Sequence, residues 1–566
     1  MASITIDGKT LKVKNGTTIL KAAEQNGIKI PTLCFLEEIN EIGFCRVCVV
    51  EVEDEQDLVS SCNTEVANGM VIYTNSEKVK ESRKATLDLL ASKHRFDCWK
   101  CPKDGMCEFY DMLKEHDIVF EEFGPGIGRT QESIYGTGIS QDLTKCILCK
   151  RCVAVCQEVV TANVLKFRDE DPLNPVVSPT PGLTFDESGC IFCGQCVKAC
   201  PTGTLFETNH VQEVEDLLLE DHYVIAQIAE EARVGLREEF GHDMEDAAFD
   251  DVFDQAMKMI GFEETISTGV AEDLHVSALG EELLAHIQAK KDTPLLSSWC
   301  SSFVRYSELY YNDYLDQLST LRSPHILQGS LLKHYEHKAK DNVKVISIMP
   351  CTSKKYEITR EELKINGDQA VDYVLTVREI AKMIKRRGFD LDNIKPAEKV
   401  DSPYHEVRKS SYDLLENVLA YVSHKMNVSY EQPKYKVIYG ERLVETEGFI
   451  EEATVKFGKE KFHVLRVNGG QAVKQMYKLL KDSKKKYLFA DVSQCSSGCK
   501  NGGGQPIYHN VQTHSIIQAR EEAIALMHQN KQTTTNEYAE TLLEGFFAEQ
   551  KELLETSFSV KEFTKE

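Results

Sequence analysis

Apolar and polar residues alternate on either side of Asp7-Gly8, a pattern that predicts a β-hairpin with a two-residue turn. A stretch of helical period follows from Thr18 to Gln25 and is closed by Gly27. Residues from about 79 to 118 read as a short helical module. From about residue 209, strand-like and helix-like stretches alternate. Examples are a strand over Val343 to Met349 and a helix over Val377 to Arg386. The tail from about Thr513 to Glu566 reads as charged, helix-like segments.

A chain of 566 residues exceeds one hydrophobic core, which sets an expectation of roughly three to five domains. Hydrophobic residues at 42% and charged residues at 28% describe a folded globular protein. No apolar run reaches bilayer length, and Met1 to Ile6 lack the basic and apolar stretches of a secretory signal. A cytoplasmic protein without membrane association is therefore expected. The net charge of -24 opposes phosphate backbones, so a small redox carrier is a better expected partner than nucleic acid.

The 19 cysteines change the picture most, because clustered thiols in a cytosolic protein are more often metal ligands than disulfides. Cys34, Cys45, Cys48 and Cys62 form a distant-pair-distant pattern that resembles plant-type 2Fe-2S ferredoxins, with ten residues separating the first two. Cys98, Cys101 and Cys107 supply three thiols where a 4Fe-4S cluster takes four ligands. His94, with three residues between it and Cys98, is the natural fourth, because histidine replaces cysteine on iron in Rieske centres. His116 is the alternative, and a solvated histidine is the bland reading. Cys146-x2-Cys149-x2-Cys152-x3-Cys156 is repeated as Cys190-x2-Cys193-x2-Cys196-x3-Cys200-Pro201, the pattern of bacterial two-cluster ferredoxins. Zinc sites group ligands in pairs rather than fours. In the ferredoxin fold the fourth cysteine of each run crosses over. That assigns Cys146, Cys149, Cys152 and Cys200 to one cubane and Cys156, Cys190, Cys193 and Cys196 to the other.

Cys300, Cys351, Cys495 and Cys499 remain, each just after a stretch that reads as a buried strand, where sites collect in α/β folds. Taken alone, Cys300 and Cys351 read equally as small buried hydrophobes. With these four, every one of the 19 thiols is assigned.

Three stretches resemble the signatures of the iron-only (FeFe) hydrogenases, and the likeness extends along nearly the whole chain. Met349-Pro350-Cys351-Thr352-Ser353-Lys354-Lys355 is similar to the second signature. Cys495-x3-Cys499-x-Asn501-Gly502-Gly503-Gly504-Gln505-Pro506 is similar to the third. The first, usually Thr-Ser-Cys-Cys-Pro, stands here as Ser297-Ser298-Trp299-Cys300-Ser301.

The resemblance implies an α/β multidomain protein in four units. They are a β-grasp 2Fe-2S ferredoxin-like domain (1–78), a 4Fe-4S module with one histidine and three cysteine ligands (79–118), a two-cluster 4Fe-4S ferredoxin-like domain (119–208) and a large α/β H-cluster domain (209–566). It implies a 2Fe-2S cluster, three 4Fe-4S clusters and an H-cluster. In the H-cluster, Cys300, Cys351, Cys495 and Cys499 would hold a 4Fe-4S cube. Cys499 would bridge it to a diiron azadithiolate unit bearing carbon monoxide and cyanide. The likeness also favours His94 as a ligand and places Lys354 against a cyanide, where a fixed cation offsets negative charge. It implies ferredoxin or a similar carrier and the hydrogenase maturation proteins as partners. Gly502 to Gly504, otherwise a flexible surface loop, would let backbone approach the metal.

Around this site the chain departs from the family. Trp299 replaces the proton-donating cysteine, and indole is a donor with no acid-base couple near neutral pH. Leu279 falls where the relay has a glutamate, Glu282 and Ser319 are retained, and His286 replaces an arginine. Glu230 and Glu231 stand where a proline and a small residue are usual. A carboxylate beside cyanide is unfavourable, so they are expected to be protonated or turned away. Ser493 replaces a methionine and His325 a glutamine.

Two functional readings follow. One is a hydrogenase-type enzyme interconverting protons plus electrons and H2, with slow proton transfer rerouted through His275, His286, His325 or water. The other is a redox or H2 sensor, or an electron-transfer or reductase protein. The tail leaves no room for a signalling domain, which weakens the sensor. A protein holding only the cube is a third reading, against which the first two cluster modules speak.

Overall fold

The computed structural model describes residues 1–119, 133–171, 174–398, 402–405, 413–442, 446–508, 513–528 and 536–564. The start of the expected 119–208 unit and parts of the expected helical tail lie outside the described residues.

Ala2–Ile6 and Lys9–Val13 form the expected antiparallel hairpin. Asp7 and Gly8 take φ of 46° and 80°, the mirror-image turn that matches the twist of the strands. Thr18 caps the helix Ile19–Glu24 by accepting from the Lys21 amide. Ala2–Ile6 also runs parallel to Val71–Tyr73, which continues through Val49–Val52 to Val59–Ser60 in a five-stranded sheet. This is a β-grasp arrangement, with Cys34, Cys45 and Cys48 on the long segment between the helix and Val49–Val52. The next helix, Glu77–Ser92, starts from its cap at Ser76 and so straddles the expected 78/79 boundary.

In the ferredoxin-like unit, Ile139–Gln141 pairs with Leu205–Glu207 and brings the ends of the cysteine repeats together. The repeats share their backbone geometry. Leu148 and Phe192 have positive φ (61° and 55°), as do Lys150 and Gly194 (63° and 72°). Each left-handed residue turns the chain around a point that the cysteines face.

The large unit is built on two sheets. One is fully parallel, in the order Glu264–Ser267, Tyr223–Ile228, Val343–Met349, Tyr373–Thr376. Its strands are buried and rich in β-branched residues, as expected of strands covered on both faces. The second sheet runs Leu295–Leu296, Tyr487–Ser493, Glu460–Asn468, Phe449–Phe457, Lys436–Gly440, with its first three strands parallel. The expected strand Val343–Met349 and helix Val377–Arg386 both form, the helix with a Thr376/Glu379 capping box. The carboxyl ends of strands from both sheets open onto one cavity, the position where α/β folds place their sites. The described part of the tail is helical: Thr513–Met527, Glu537–Glu544, Phe546–Glu549 and Lys551–Leu554.

Candidate functional site

None of the 19 cysteines is in a disulfide, and most of them are buried. The Cys45 amide donates to Cys34 Sγ at 3.5 Å, and Cys48 lies against Cys62. Cys149, Cys200, Cys146 and Cys196 act electrostatically on Cys152, and Cys190, Cys156 and Cys200 act on Cys196, so the two cysteine runs come together in one place. Cys300, Cys351 and Cys495 all act on Cys499. Burial raises the thiols, Cys351 to about 11 and Cys495 to about 12. Crowded buried thiolates need a cationic partner, which cluster iron supplies.

Backbone amides are aimed at these sulfurs. Leu148 N reaches Cys146 Sγ at 3.4 Å, Phe192 N reaches Cys190 Sγ at 3.4 Å, and Val164 N reaches Cys156 Sγ at 3.3 Å. Donors directed at sulfur favour thiolate over thiol, which fits iron-sulfur ligation.

His94 is buried, and its Nδ1 lies 3.1 Å from the Lys145 carbonyl. Burial lowers its pKa to about 4, so the ring is neutral and donates from Nδ1, which leaves the lone pair on Nε2, the form a metal-binding histidine takes. His94 shares Lys145 and Asp97 as charged neighbours with Cys101. His116 instead sits among Arg83, Glu115 and Lys29.

The groups adjoin one another. Asn40 Nδ2 donates to the carbonyls of Cys34 (2.7 Å) and Cys149 (3.2 Å), tying the first cysteine loop to the ferredoxin-like unit. Cys101 packs on Gly203, where a Cβ would collide with its sulfur. At the far side, Gln195 Nε2 donates to Cys495 Sγ at 3.4 Å and to the Asn501 carbonyl at 2.8 Å. Gly502 to Gly504 are buried, contrary to a surface loop. A Cβ on Gly502 would strike the Pro350 carbonyl, and one on Gly503 would strike the Cys193 carbonyl. The run thus lets three cysteine-bearing loops pack backbone to backbone.

Cys351 and Cys499 border a cavity of about 260 Å3. Lys354, Trp299, His325, Glu231 and Asp491 also line it. Lys354 Nζ donates to the Trp299 carbonyl at 3.0 Å and to Glu357 Oε2 at 2.7 Å. His325 Nε2 meets the same Glu357 oxygen at 2.6 Å. Burial opposes ionisation of Glu357, but Lys354 and His325 overcome it and hold the carboxyl at about 2.

The profile described as iron only hydrogenase large subunit, C-terminal domain, matches residues 222–503. Profiles of a 2Fe-2S binding domain and a 4Fe-4S dicluster domain match residues 1–77 and 145–204. Over 527 residues the chain is 33% identical to the NADP-reducing hydrogenase subunit of Solidesulfovibrio fructosivorans, covering 90% of this chain and 89% of that protein. It is 31% identical over 524 residues to iron hydrogenase 1 of Clostridium pasteurianum, covering 89% of each. This chain belongs to the iron-only hydrogenase family. The solved apo [FeFe]-hydrogenase from Chlamydomonas reinhardtii shares the fold, with a TM-score of 0.54 at 21% identity, over 62% of this chain and 99% of that one.

In this iron-only hydrogenase the two halves of the expected proton relay are disconnected. Ser319 Oγ donates to Glu282 Oε2 at 2.6 Å, but neither residue lines the cavity. Leu279 is fully buried in the hydrophobic core. His286 Nε2 is bound to the Thr293 carbonyl at 2.6 Å and also stands away from the cavity. His275 does line it, with Nδ1 at 3.2 Å from the Arg322 carbonyl and Nε2 without a partner among the described residues.

The two glutamates diverge. Glu230 pairs with His528 Nε2 at 2.9 Å, away from the cavity, whereas Glu231 borders it and acts on Cys499. Ser493 donates to Asn468 Oδ1 and is not among the cavity-lining residues. Four residues escaped the sequence reading: Glu357, Asp491, His528 and Asn468. Glu357 had a signal, since it stands three positions after Lys354 on one helical face.

Proposed function

We propose that the protein interconverts protons plus electrons and H2 at the cavity beside Cys499, exchanging electrons with ferredoxin or a similar carrier through a chain of clusters. The observation that carries this reading is the meeting of Cys300, Cys351, Cys495 and Cys499 beside a cavity lined by Lys354, with Gln195 linking Cys495 to the ferredoxin-like unit.

In this reading the units 1–78, 79–118 and 119–208 form an electron-carrying arm, and 209–566 is the catalytic unit. Cys34, Cys45, Cys48 and Cys62 hold a 2Fe-2S cluster; His94, Cys98, Cys101 and Cys107 hold a 4Fe-4S cluster; the crossed-over eight thiols hold two more. The last four cysteines hold the cube of an H-cluster, whose diiron unit, installed by maturation proteins, supplies the redox chemistry of hydrogen. The chain's own residues hold its surroundings. Lys354, fixed by Glu357, presents a cation, and Trp299 closes the position of the usual thiol donor. Proton transfer is therefore slower than with a cysteine there.

A second reading of the electron partner is favoured by the relative from Solidesulfovibrio fructosivorans, which matches along nearly its whole length and is named an NADP-reducing hydrogenase subunit. On that reading the arm receives or delivers electrons through a nicotinamide-linked subunit.

The test is infrared spectroscopy on protein expressed anaerobically with the maturation machinery, repeated under H2. Iron-bound carbonyl and cyanide stretches that respond to H2 are expected. Their absence from protein with fully loaded cubanes overturns the hydrogenase reading in favour of electron transfer alone.

A further inference from the structure

With the usual thiol replaced by Trp299, some other group must exchange protons with the cavity. The indole points to one. Trp299 Nε1 donates to Asp491 Oδ1 at 2.9 Å, and Ser297 Oγ donates to the same oxygen at 3.2 Å. Trp299 and Asp491 both line the cavity. Two donors on Oδ1 make it the accepting oxygen, so a proton on this carboxyl resides on Oδ2.

The surroundings favour a carboxyl that changes protonation. Burial raises the Asp491 pKa, the Trp299 donor lowers it, and the charges of Asp413 and Arg466 act in opposite directions. These groups come from three elements around Asp491: the loop after Leu295–Leu296, the strand Glu460–Asn468, and the cap of the helix Leu414–Lys425. From there a charged path runs outward. Arg466 pairs with Asp413 and, at 2.7 Å, with Glu451, which also binds Arg442 at 2.7 Å. Asp413 and Arg442 have 36% and 51% of their side chains exposed and both line the cavity, so this side reaches solvent.

The histidines are poorer carriers. His286 stands outside the cavity, His325 is bound on both nitrogens by Glu357 and Ser347, and His275 is buried with its Nδ1 held by the Arg322 carbonyl.

We propose that Asp491 is the proton-exchanging group of this cavity, supplied from solvent past Asp413; this rests on the hydrogenase reading above. Oxidation of H2 yields two protons and two electrons. The electrons leave by the cluster chain, and each proton in turn adds to Asp491 Oδ2 and passes to solvent by the charged path. In H2 evolution the protonated carboxyl gives its proton to the cavity and is reprotonated from the same side.

The experiment is redox-difference infrared spectroscopy in H2O and D2O on anaerobically matured protein, comparing wild type, D491N, D491E and W299F. Wild type is expected to show a carboxylic C=O band that moves down in D2O. The band should vanish in D491N, persist but move in D491E, and rise in frequency in W299F, which keeps the acid and removes its indole donor. H2 turnover should fall at least tenfold in D491N and recover in D491E. A wild type without the carboxyl band, or a band unchanged in D491N while iron-carbonyl stretches are present, overturns the relay alone. Wild type lacking carbonyl and cyanide stretches overturns the hydrogenase reading and the relay with it. If D491N does not fold, an unmoved band in W299F overturns the assignment.

Discussion

Lys354 Nζ donates to Glu357 Oε2 at 2.7 Å, one helical turn away on the short helix Ser353–Glu357. The lysine expected to face a diiron ligand is therefore not a mobile surface cation. Its charge is fixed by a buried carboxylate oxygen that His325 also contacts.

This pair makes stability depend on acid. Burial opposes Glu357 ionisation, yet Lys354 and His325 depress the carboxyl from 4.5 to about 2. A depressed folded-state pKa stabilises the fold above about pH 4.5, by on the order of 3 kcal/mol, and the contribution is lost as pH falls toward 2. Lys354→Met should lower stability at pH 7 by about 3 kcal/mol and flatten this acid dependence, as read by denaturant unfolding at several pH values.

His94→Ala should lose one cluster's worth of iron, whereas His116→Ala should keep it. Iron analysis with electron paramagnetic resonance of the reduced proteins separates the two. Equal iron in both variants rules out His94 as the fourth ligand.

Gly194 and Lys150 occupy equivalent left-handed positions in the cysteine repeats, yet only Gly194 meets the large unit. A Cβ there would collide with Thr352 Oγ1 and stand 3.0 Å from Gly503 Cα. Gly194→Ala should cost about 1–3 kcal/mol and slow electron delivery to the cavity, while Lys150→Gly should cost no more than about 1 kcal/mol. Thermal unfolding and rapid-mixing reduction kinetics measure both effects.

Trp299→Cys restores a thiol, but Leu279 still interrupts the way to Glu282. The single variant should raise H2 evolution by less than about tenfold, and Trp299→Cys with Leu279→Glu by more than the product of the single effects, because the two positions act as one relay. Leu279→Glu alone should destabilise the fold, since it buries a carboxylate in an apolar core. Additive gains would mean that protons do not pass through both positions.

The cysteine groups and the main strands were legible because their signals are local. Ligand spacing around a cluster is a matter of a few residues, and Val343–Met349 announces itself by its density of β-branched residues, interrupted only by Lys344 and Ser347, which suits a covered strand. The burial of Gly502 to Gly504 was not legible in the same way, because a glycine run reads alike in a solvent loop and in a tight packing of backbones. Only Pro350 and Cys193, far away in the chain, decide between them.

The amino-acid sequence by itself determined the family, the order of the cluster-binding units and the presence of Trp299, a residue without an acid-base couple, next to Cys300. These follow from residue identity and short-range spacing. Only the tertiary structure decided that Glu230 turns to His528 while Glu231 faces the cavity, and that Trp299 meets Asp491. Those pairings join residues roughly two to three hundred positions apart. Their direction is set by how two sheets bring their strand ends together, which no local pattern encodes.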